Sequence, residues 1–314
     1  MLRFKPIYQQ RIWGGDSFTK NFGRKLPGEK MGESWEIVDR PEAQSCVVDS
    51  FLGGDTLSEL LQSHCEYLLG PKWQPEWPFP LLVKWLDCRE WLSVQVHPPA
   101  HIAPQLGGQP KTEWWYFADC DPGARIILGL KPSIDRNQFL AALDSGTLPG
   151  FLSQFFVQSG DSAFVESGCI HALGPGNLIL EIQQNSDTTY RVFDWNRVNA
   201  DGQTRELHRE AALQSINFAL PPPSLQQNSE DGSILANCPH FRIQKRVLMP
   251  SSPPLAFEAK QQARLIHVIQ GSLQERREGD TLSAGSNVLL PYGNSYTFLA
   301  RTPTVLLITD QFHP

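Results

Sequence analysis

Four residues with metal-binding side-chain atoms fall in three strand-like stretches of the 314-residue sequence. Gln95 and His97 are two positions apart, Glu113 begins a later apolar run, and His171 follows the short turn ESG. Two imidazoles, one carboxylate and an amide oxygen suit Zn²⁺, and two histidines with one carboxylate also bind Fe²⁺ or Mn²⁺. A mixed nitrogen and oxygen set with room for water or substrate is typical of catalytic rather than structural metal sites.

Each of these residues also has an ordinary structural interpretation. A lone histidine in a strand is more often a hydrogen-bonded structural residue than a metal ligand. Glu113 is equally compatible with a solvated carboxylate at a strand start, and Gln95 with a surface amide. Residue types and spacing alone therefore leave the metal site as a hypothesis beside a sheet with one wet face.

The stretch WLSVQVHPPA is predicted to be the strand that carries two of the ligands. Side chains alternate between the two faces of a strand, so Ser93, Gln95 and His97 share one face and the valines between them share the other. Pro98 and Pro99 end the strand, because proline has no amide hydrogen for the sheet. The polar face of this strand is predicted to line the site.

Other charged residues are placed by the same alternation. In LILEIQQ, Glu181 shares a face with Ile179 and Gln183, and Arg191 follows Glu181 across a polar turn. The arginine suits either a structural salt bridge or a clamp for an oxyanion or a phosphate. Lys111, two residues before Glu113, is either on the face of Glu113 or a flexible loop lysine.

Strand-like runs separated by Gly, Pro or Asp dominate the sequence, which predicts an antiparallel β-sandwich or β-barrel rather than alternating βαβ units. Three stretches instead have helical spacing of apolar residues. The first has Asp55 or Thr56 as its cap and Gly70 as its stop. The helical stretches are DTLSELLQSHCEYLLG, DRNQFLAALDSG and RELHREAALQSINF.

A proline-rich polar segment at residues 219–233, ALPPPSLQQNSEDGS, is predicted to be a linker. It divides a larger domain, 1–218, from a smaller C-terminal β domain, 234–314. A weak internal repeat aligns the stretch from Gly160 with the stretch from Gly285, and it replaces His171 with Tyr296. We therefore expect the metal in the first domain and none in the second.

Composition excludes several classes of protein. The formal net charge of −6, without a basic block, argues against a general nucleic-acid binder. No apolar run has the length of a signal peptide or a membrane span, so we expect a cytoplasmic protein without a membrane partner. Six scattered cysteines without a C-x-x-C pair indicate reduced thiols, and Cys169 near His171 is interpreted as a small buried side chain.

Several ordered motifs together resemble the type I mannose-6-phosphate isomerase family in its short bacterial form. The resemblance runs from about residue 11 to about residue 208, and its most specific part lies between Glu181 and Arg197. The motifs are RIWGG, GESWEIVD, FPLLVKWLD, LSVQVHP, KTEWWYFAD, PGARIILGL, GCIHALGPG, LEIQQNSDTTYRVFDWNR and RELH.

This resemblance implies a fold, a cofactor and a reaction. Members of the family are cupins, which are jelly-roll β-barrels, with one metal, usually zinc, in the catalytic barrel. They interconvert mannose 6-phosphate and fructose 6-phosphate, so the expected partner is a small hexose phosphate. The matching positions give the ligand set and the site residues that the family uses. The implied metal ligands are Gln95, His97, Glu113 and His171, and the implied catalytic or substrate-binding residues are Arg191, Lys111, Glu181, Ser93 and Asp187.

One departure from the family concerns the turn before the last ligand. It reads VESGCIH here, which places Glu166 at a turn where the family usually has proline and alanine. His171 itself is retained, so the metal set is intact in the sequence.

The sequence therefore favours a zinc-dependent isomerase that works through an enediol intermediate. The sequence does not decide which group transfers the proton: Glu181, a metal-organised water and a histidine are all compatible with it. A non-catalytic sugar-phosphate-binding regulatory cupin is the alternative, and the intact ligand set argues against it. An Fe²⁺ oxygenase on the same ligands is a third hypothesis, and Lys111 and Arg191 disfavour it because they suit an anionic substrate.

Overall fold

The computed structural model describes residues 1–48, 55–198 and 202–313. Within these ranges the chain is mainly β, with 24 strands, four α-helices and two 3₁₀ turns. The predicted class, mainly β with a few short helices, is confirmed. None of the helices in the described ranges is long and apolar enough to cross a membrane.

The chain forms two compact units, each assembled from separate segments. The terminal unit comprises Met1–Gln10, Asp16–Trp85 and Ser229–Pro314, as far as these are described, and the central unit comprises Arg11–Gly15 and Leu86–Asn228. Compact units of a structure need not coincide with functional domains. The contiguous division into 1–218, a linker at 219–233, and 234–314 therefore stays a prediction.

The first half of the chain contains the following strands and helices in order: β1 (Leu2–Arg3), β2 (Ile7–Gly15), α1 (Ser17–Phe22), β3 (Met31–Ile37), β4 (Asp39–Arg40), β5 (Ala43–Gln44), α2 (Leu57–Leu69), β6 (Leu81–Cys88), β7 (Val94–Val96), β8 (Glu113–Cys120), β9 (Arg125–Leu130), α3 (Arg136–Asp144) and β10 (Leu152–Phe156).

The remaining elements are β11 (Ser162–Val165), β12 (His171–Leu173), β13 (Asn177–Gln184), β14 (Tyr190–Phe193), α4 (Arg209–Ser215), β15 (Leu225–Gln226), β16 (Ile234–Asn237), β17 (Arg242–Leu248), β18 (Leu255–Phe257), β19 (Arg264–Gln270), β20 (Ser272–Glu275), β21 (Thr281–Ser283), β22 (Asn287–Leu290), β23 (Tyr296–Ala300) and β24 (Thr304–Asp310).

The central unit is a sandwich of antiparallel strands. One sheet has the order β10-β9-β12-β7-β14, and β15-β11-β8-β13 run consecutively in a second sheet. Buried residues from both sheets, such as Leu128 and Leu173 of the first and Trp115, Phe117 and Ile179 of the second, form one apolar cluster. Burial of this apolar surface between the sheets is the main favourable term for the packing.

The opposite face of the five-stranded sheet packs against helices. Val94 and Val96 of β7 are fully buried in a second cluster, together with Phe139 of α3 and Leu213 of α4. The polar face of β7 is consequently turned toward the space between the sheets, as the alternation predicted.

Helix ends agree with the capping signals in the sequence. Thr56 is the N-cap of α2 and forms a reciprocal capping box with Glu59, and Gly70 is its C-cap. Asp135 caps α3 in the same way through Gln138. The third predicted helix, RELHREAALQSINF, is helical only over Arg209–Ser215.

The terminal unit contains a second pair of sheets, with the strand orders β1-β22-β19-β24-β17-β16 and β18-β23-β20-β21. Apolar side chains from both sheets, including Ile266, Leu273 and Phe298, share one buried cluster. Part of the predicted linker belongs to the central unit, because Leu225 in β15 pairs with Ala163 in β11.

A buried polar network crosses the larger sheet of the terminal unit at His267. Its Nδ1 lies 2.7 Å from Asn287 Oδ1 and its Nε2 lies 3.0 Å from Thr309 Oγ1. The amide nitrogen of Asn287 donates to Glu36 and to the carbonyl of Gly285, which fixes the orientation of the amide. His267 Nδ1 therefore donates to Asn287 Oδ1. Burial lowers the pKa of His267 from 6.5 to about 4, so the ring is neutral at neutral pH.

This network predicts a pH-dependent part of the stability. Because the unfolded chain binds a proton near pH 6.5 and the folded one only near pH 4, the free energy of unfolding falls as the pH drops through this window. His267→Gln should remove about 2 kcal/mol of the difference in unfolding free energy between pH 7 and pH 5, measured by denaturant titration. The matched variant of the exposed His101, His101→Gln, should keep the wild-type dependence.

Candidate metal centre

Adjacent strands of the five-stranded sheet carry three of the predicted ligands to one place. His171, the first residue of β12, pairs with Gln95 of β7, and His97 directly follows β7. Glu113, the first residue of β8, comes from the other sheet. The alternation of β7 and β8 therefore directs side chains from both sheets into the same interior space.

The side chains of His97, Glu113 and His171 form a fully buried cluster. One donor atom from each residue lies within 4.8 Å of the others. His97 Nε2 is 3.4 Å from Glu113 Oε2, and His171 Nε2 is 3.4 Å from Glu113 Oε1. Two imidazole nitrogens thus approach the two oxygens of one carboxylate.

Backbone carbonyls fix the tautomer of both histidines. His97 Nδ1 lies 2.8 Å from the carbonyl oxygen of Thr188, and His171 Nδ1 lies 2.9 Å from that of Cys169. A carbonyl only accepts hydrogen bonds, so each Nδ1 carries the proton. Each Nε2 consequently presents a lone pair toward Glu113, which is the arrangement of metal-ligating histidines.

The donor atoms of this cluster fit a divalent metal ion. Both oxygens of Glu113 are buried and receive no hydrogen bond of good geometry. Lone pairs from two imidazoles and a carboxylate repel one another in a buried space unless a cation lies between them. Nitrogen and oxygen donors of this kind suit Zn²⁺ and its neighbours in the first transition row.

The fourth predicted ligand, Gln95, lies at the edge of the same cluster. Its side-chain nitrogen Nε2 is 3.2 Å from His171 Nε2. Rotation of the terminal amide by half a turn exchanges its nitrogen and oxygen, so the amide oxygen is available at the same position.

Lys111 extends the cluster with a buried positive charge. Its Nζ lies 2.7 Å from Glu113 Oε2 and 3.2 Å from His97 Nε2. Burial opposes the charge of this lysine, but Glu113, then Glu181 and Asp187, outweigh burial and raise its pKa. Lys111 precedes the first residue of β8, so it does not lie on that strand, but at 4% exposure it is not a flexible loop lysine either.

The same charges set the ionisation of the three clustered ligands. Burial alone would raise the pKa of Glu113, but Lys111 and the two histidines hold it well below its usual range. Burial, with Lys111, lowers the pKa of His97 to about 3, and burial also lowers the pKa of His171. At neutral pH the cluster thus contains a carboxylate and two neutral imidazoles, the ionisation states that bind metal.

Arg191 is aligned with the cluster on the neighbouring strand. It pairs with Gln95 across β7 and β14, so its side chain starts on the same face of the sheet. Its Nη1 donates to the carbonyl of Glu206 at 2.7 Å, while its Nε is buried without a hydrogen-bond partner. Burial, followed by the charge of Arg205, lowers the pKa of this half-buried guanidinium.

The other predicted site residues lie at different depths. Glu181 on β13 is buried and accepts a hydrogen bond from Trp115. Ser93 is buried directly before β7, and Asp187 is exposed in the loop between β13 and β14. Glu166 is exposed in its turn and is not among the clustered donor atoms.

Three partners of the site were missed in the sequence. The carbonyls of Thr188 and Cys169 have no sequence signal, because every residue has a backbone carbonyl. Trp115 was detectable, since it lies two residues after Glu113 and therefore on the same face of β8. The six cysteines form no disulfide. Cys169 is buried, as expected.

Comparisons with known proteins agree with this architecture. The family model described as phosphomannose isomerase type I, catalytic domain, matches residues 1–119. The probable mannose-6-phosphate isomerase GmuF of Bacillus subtilis (strain 168) is 36% identical over 299 residues, covering 92% of this chain and 93% of that protein. The mannose-6-phosphate isomerase ManA of the same organism is 36% identical over 307 residues, covering 93% of each.

A solved structure extends the agreement to the whole fold. The crystal structure of the mannose 6-phosphate isomerase from Bacillus subtilis superposes with a TM-score of 0.83 at 30% identity, covering 98% of each chain. The fold and the donor cluster together define a cupin-type protein with a candidate metal centre. The chain belongs to the family of type I phosphomannose isomerases.

The buried ion pair of the site predicts a metal-dependent stability. Lys111→Met leaves the carboxylate of Glu113 buried without its positive partner, so in chelator-treated protein the free energy of unfolding should fall by about 3–5 kcal/mol. Added Zn²⁺ should restore a large part of the loss, because a bound cation compensates the same carboxylate. Denaturant titrations with and without Zn²⁺ measure both effects.

The exposed Lys131 on the same unit provides the control for this variant. Lys131→Met removes the same charge from the surface and should change the free energy of unfolding by no more than about 0.5 kcal/mol. Equal losses in the two variants, or no recovery with Zn²⁺, would contradict the role given to Lys111 and Glu113.

Proposed function

We propose that this chain is a zinc-dependent aldose–ketose isomerase that interconverts mannose 6-phosphate and fructose 6-phosphate. The convergence of His97, Glu113 and His171 beside the buried charge of Lys111 is the observation that carries the proposal. Membership of the phosphomannose isomerase family supports the choice of substrate.

Gln95, His97, Glu113 and His171 are the residues that would hold one metal ion per chain. Two neutral imidazoles and two oxygen donors favour Zn²⁺. When bound there, the ion would supply positive charge that polarises substrate oxygens without the need for a proton.

The reaction moves a proton between C1 and C2 of the sugar through an enediol, so it needs a base and positive charge near the oxygens. Lys111 supplies a fixed ammonium group, because Glu113 holds both its position and its charge. Glu181 supplies a buried carboxylate that can take part in the proton transfer or adjust the charge of its cationic neighbours.

The substrate is an anion, and the chain has a net charge of −6, so local cations must attract it. Arg191 lies on the strand beside the ligands and has a buried donor atom without a partner, which suits an oxygen of the substrate. Ser93 directly precedes the strand that carries Gln95, and we assign it to the phosphate. Asp187 in the adjoining loop is assigned to the substrate hydroxyl groups.

We assign the protein to the cytoplasm. Six cysteines without a disulfide suit a reducing compartment, and mannose 6-phosphate is a charged metabolite.

Removal of one ligand tests the metal and the reaction together. His171→Ala should lose bound zinc, measured by elemental analysis, and should lower isomerase activity by at least about 10³-fold. The matched variant His267→Gln, which changes a fully buried histidine of the terminal unit, should keep both. A metal-loaded wild type that does not convert mannose 6-phosphate would refute the isomerase, and binding without turnover would instead support the regulatory alternative.

Arg191 allows a second test that separates binding from chemistry. Arg191→Gln should lower kcat/KM for mannose 6-phosphate by about 10²-fold, with most of the loss in kcat, if the guanidinium stabilises charge that develops on the sugar oxygens. Steady-state kinetics at constant zinc content measure the two parameters. A rise in KM with unchanged kcat would assign Arg191 to uniform binding of the phosphate instead.

A further inference from the structure

Trp115 is a buried side chain that touches two parts of the proposed site at once. It lies on β8, two residues after Glu113, so both side chains start on the same face of the strand. In the sheet register Trp115 pairs with Glu181 of β13. The indole is 1% exposed and belongs to the apolar cluster between the sheets of the central unit.

One contact of Trp115 is polar. Its Nε1–H donates to Glu181 Oε1 at 3.1 Å, and both side chains are buried. An indole has this single donor and no acceptor, so its ring has one orientation that satisfies the bond. A hydrogen bond to a charged carboxylate is stronger than one between neutral groups and restricts the rotation of that carboxylate.

The other contact is with a metal-ligand residue. The rings of Trp115 and His171 meet edge to face, with centroids 5.4 Å apart and an interplanar angle of 73°. Such a contact stabilises the pair and opposes rotation of the imidazole about its side-chain torsions. His171 is thus held by the Cys169 carbonyl at Nδ1 and by Trp115 at the ring.

We propose that Trp115 is a positioning residue for the isomerisation, which sets the carboxylate of Glu181 relative to the imidazole of His171. The inference rests on the proposed function. Tryptophan has only two side-chain torsions, and core packing restricts both of them. The indole therefore fixes the position of the Glu181 carboxylate relative to the His171 imidazole. The reaction needs the proton-transferring groups and the metal in a fixed arrangement, and small displacements reduce the rate strongly.

A purely structural role for Trp115 makes a different prediction. Trp114 is the neighbour on the same strand, is also 1% exposed, and points to the opposite face of the sheet. If Trp115 contributed only apolar packing, the two tryptophans would be equivalent in their effect on catalysis. Trp114→Phe is therefore the matched control for Trp115→Phe, because each variant removes the same atoms from the same strand.

The kinetic test compares these two variants at constant zinc content. Trp115→Phe keeps most of the apolar volume and removes the donor, so kcat for mannose 6-phosphate should fall about tenfold with KM unchanged within about twofold. Trp114→Phe should leave both parameters within about twofold of wild type. Equal losses of kcat in the two variants would overturn the role of Trp115.

A double-mutant cycle tests whether Trp115 acts through Glu181. In a Glu181→Ala background, Trp115→Phe should cause a much smaller loss of kcat than in the wild type, because the carboxylate that the indole holds is absent and only the ring contact with His171 is left to change. If the fold-loss of kcat in the double variant equalled the product of the fold-losses in the two single variants, as for independent sites, the proposal would be overturned. A wild type without any turnover would refute the proposed function itself. An active wild type in which the two substitutions have independent effects would refute only the role of Trp115.

The hydrogen bond also has a readout that does not depend on activity. The ¹⁵N–¹H spectrum of the full chain contains indole resonances from its nine tryptophans, and the one lost in Trp115→Phe identifies Trp115. That resonance should move upfield in Glu181→Ala, as expected when a donor loses a charged acceptor. An unchanged resonance would show that the indole does not donate to Glu181 and would overturn the proposal.

Discussion

Two imidazole nitrogens and the carboxylate of Glu113 direct their lone pairs into the same buried space, and the proposed chemistry depends on this arrangement. Carbonyls of Thr188 and Cys169 hold the protons of His97 and His171 on the far side of each ring. Such a cluster is electrostatically unfavourable without positive charge, which Lys111 supplies in part. The cluster is therefore a candidate site for a divalent cation, whose charge would balance these lone pairs.

Strand alternation is what brings these atoms together without exposing them. Gln95 of β7 faces the space between the sheets, while Val94 and Val96 pack on the outer face against α3 and α4. A slip of one residue would exchange the two sets, burying an amide among apolar groups and placing a valine beside the donor cluster. Packing of the outer face therefore fixes the register of the site, and residues far from the ligands contribute to its geometry.

Much of the site was predictable from the sequence, and the reason is local. Metal-binding side chains at alternate positions of the stretch SVQVH indicated a lining strand, motif order resembled a known family, and caps such as Thr56 and Asp135 marked helix starts. The carbonyl partners of the histidines were not predictable, because backbone carbonyls do not vary with residue type. Neither was the grouping of the N-terminal strands with the C-terminal ones, since such contacts join segments far apart in the chain.

By itself the sequence determined which residue types could act, which face of a strand each would take, and which family the chain resembled. Only the tertiary structure decided that His97, Glu113 and His171 meet in one cluster, that Lys111 is buried against Glu113, and that Trp115 joins Glu181 to His171. The physical reason is that alternation and capping are set by neighbouring residues, whereas distances between β8, β12 and β13 depend on how two sheets pack over a shared core.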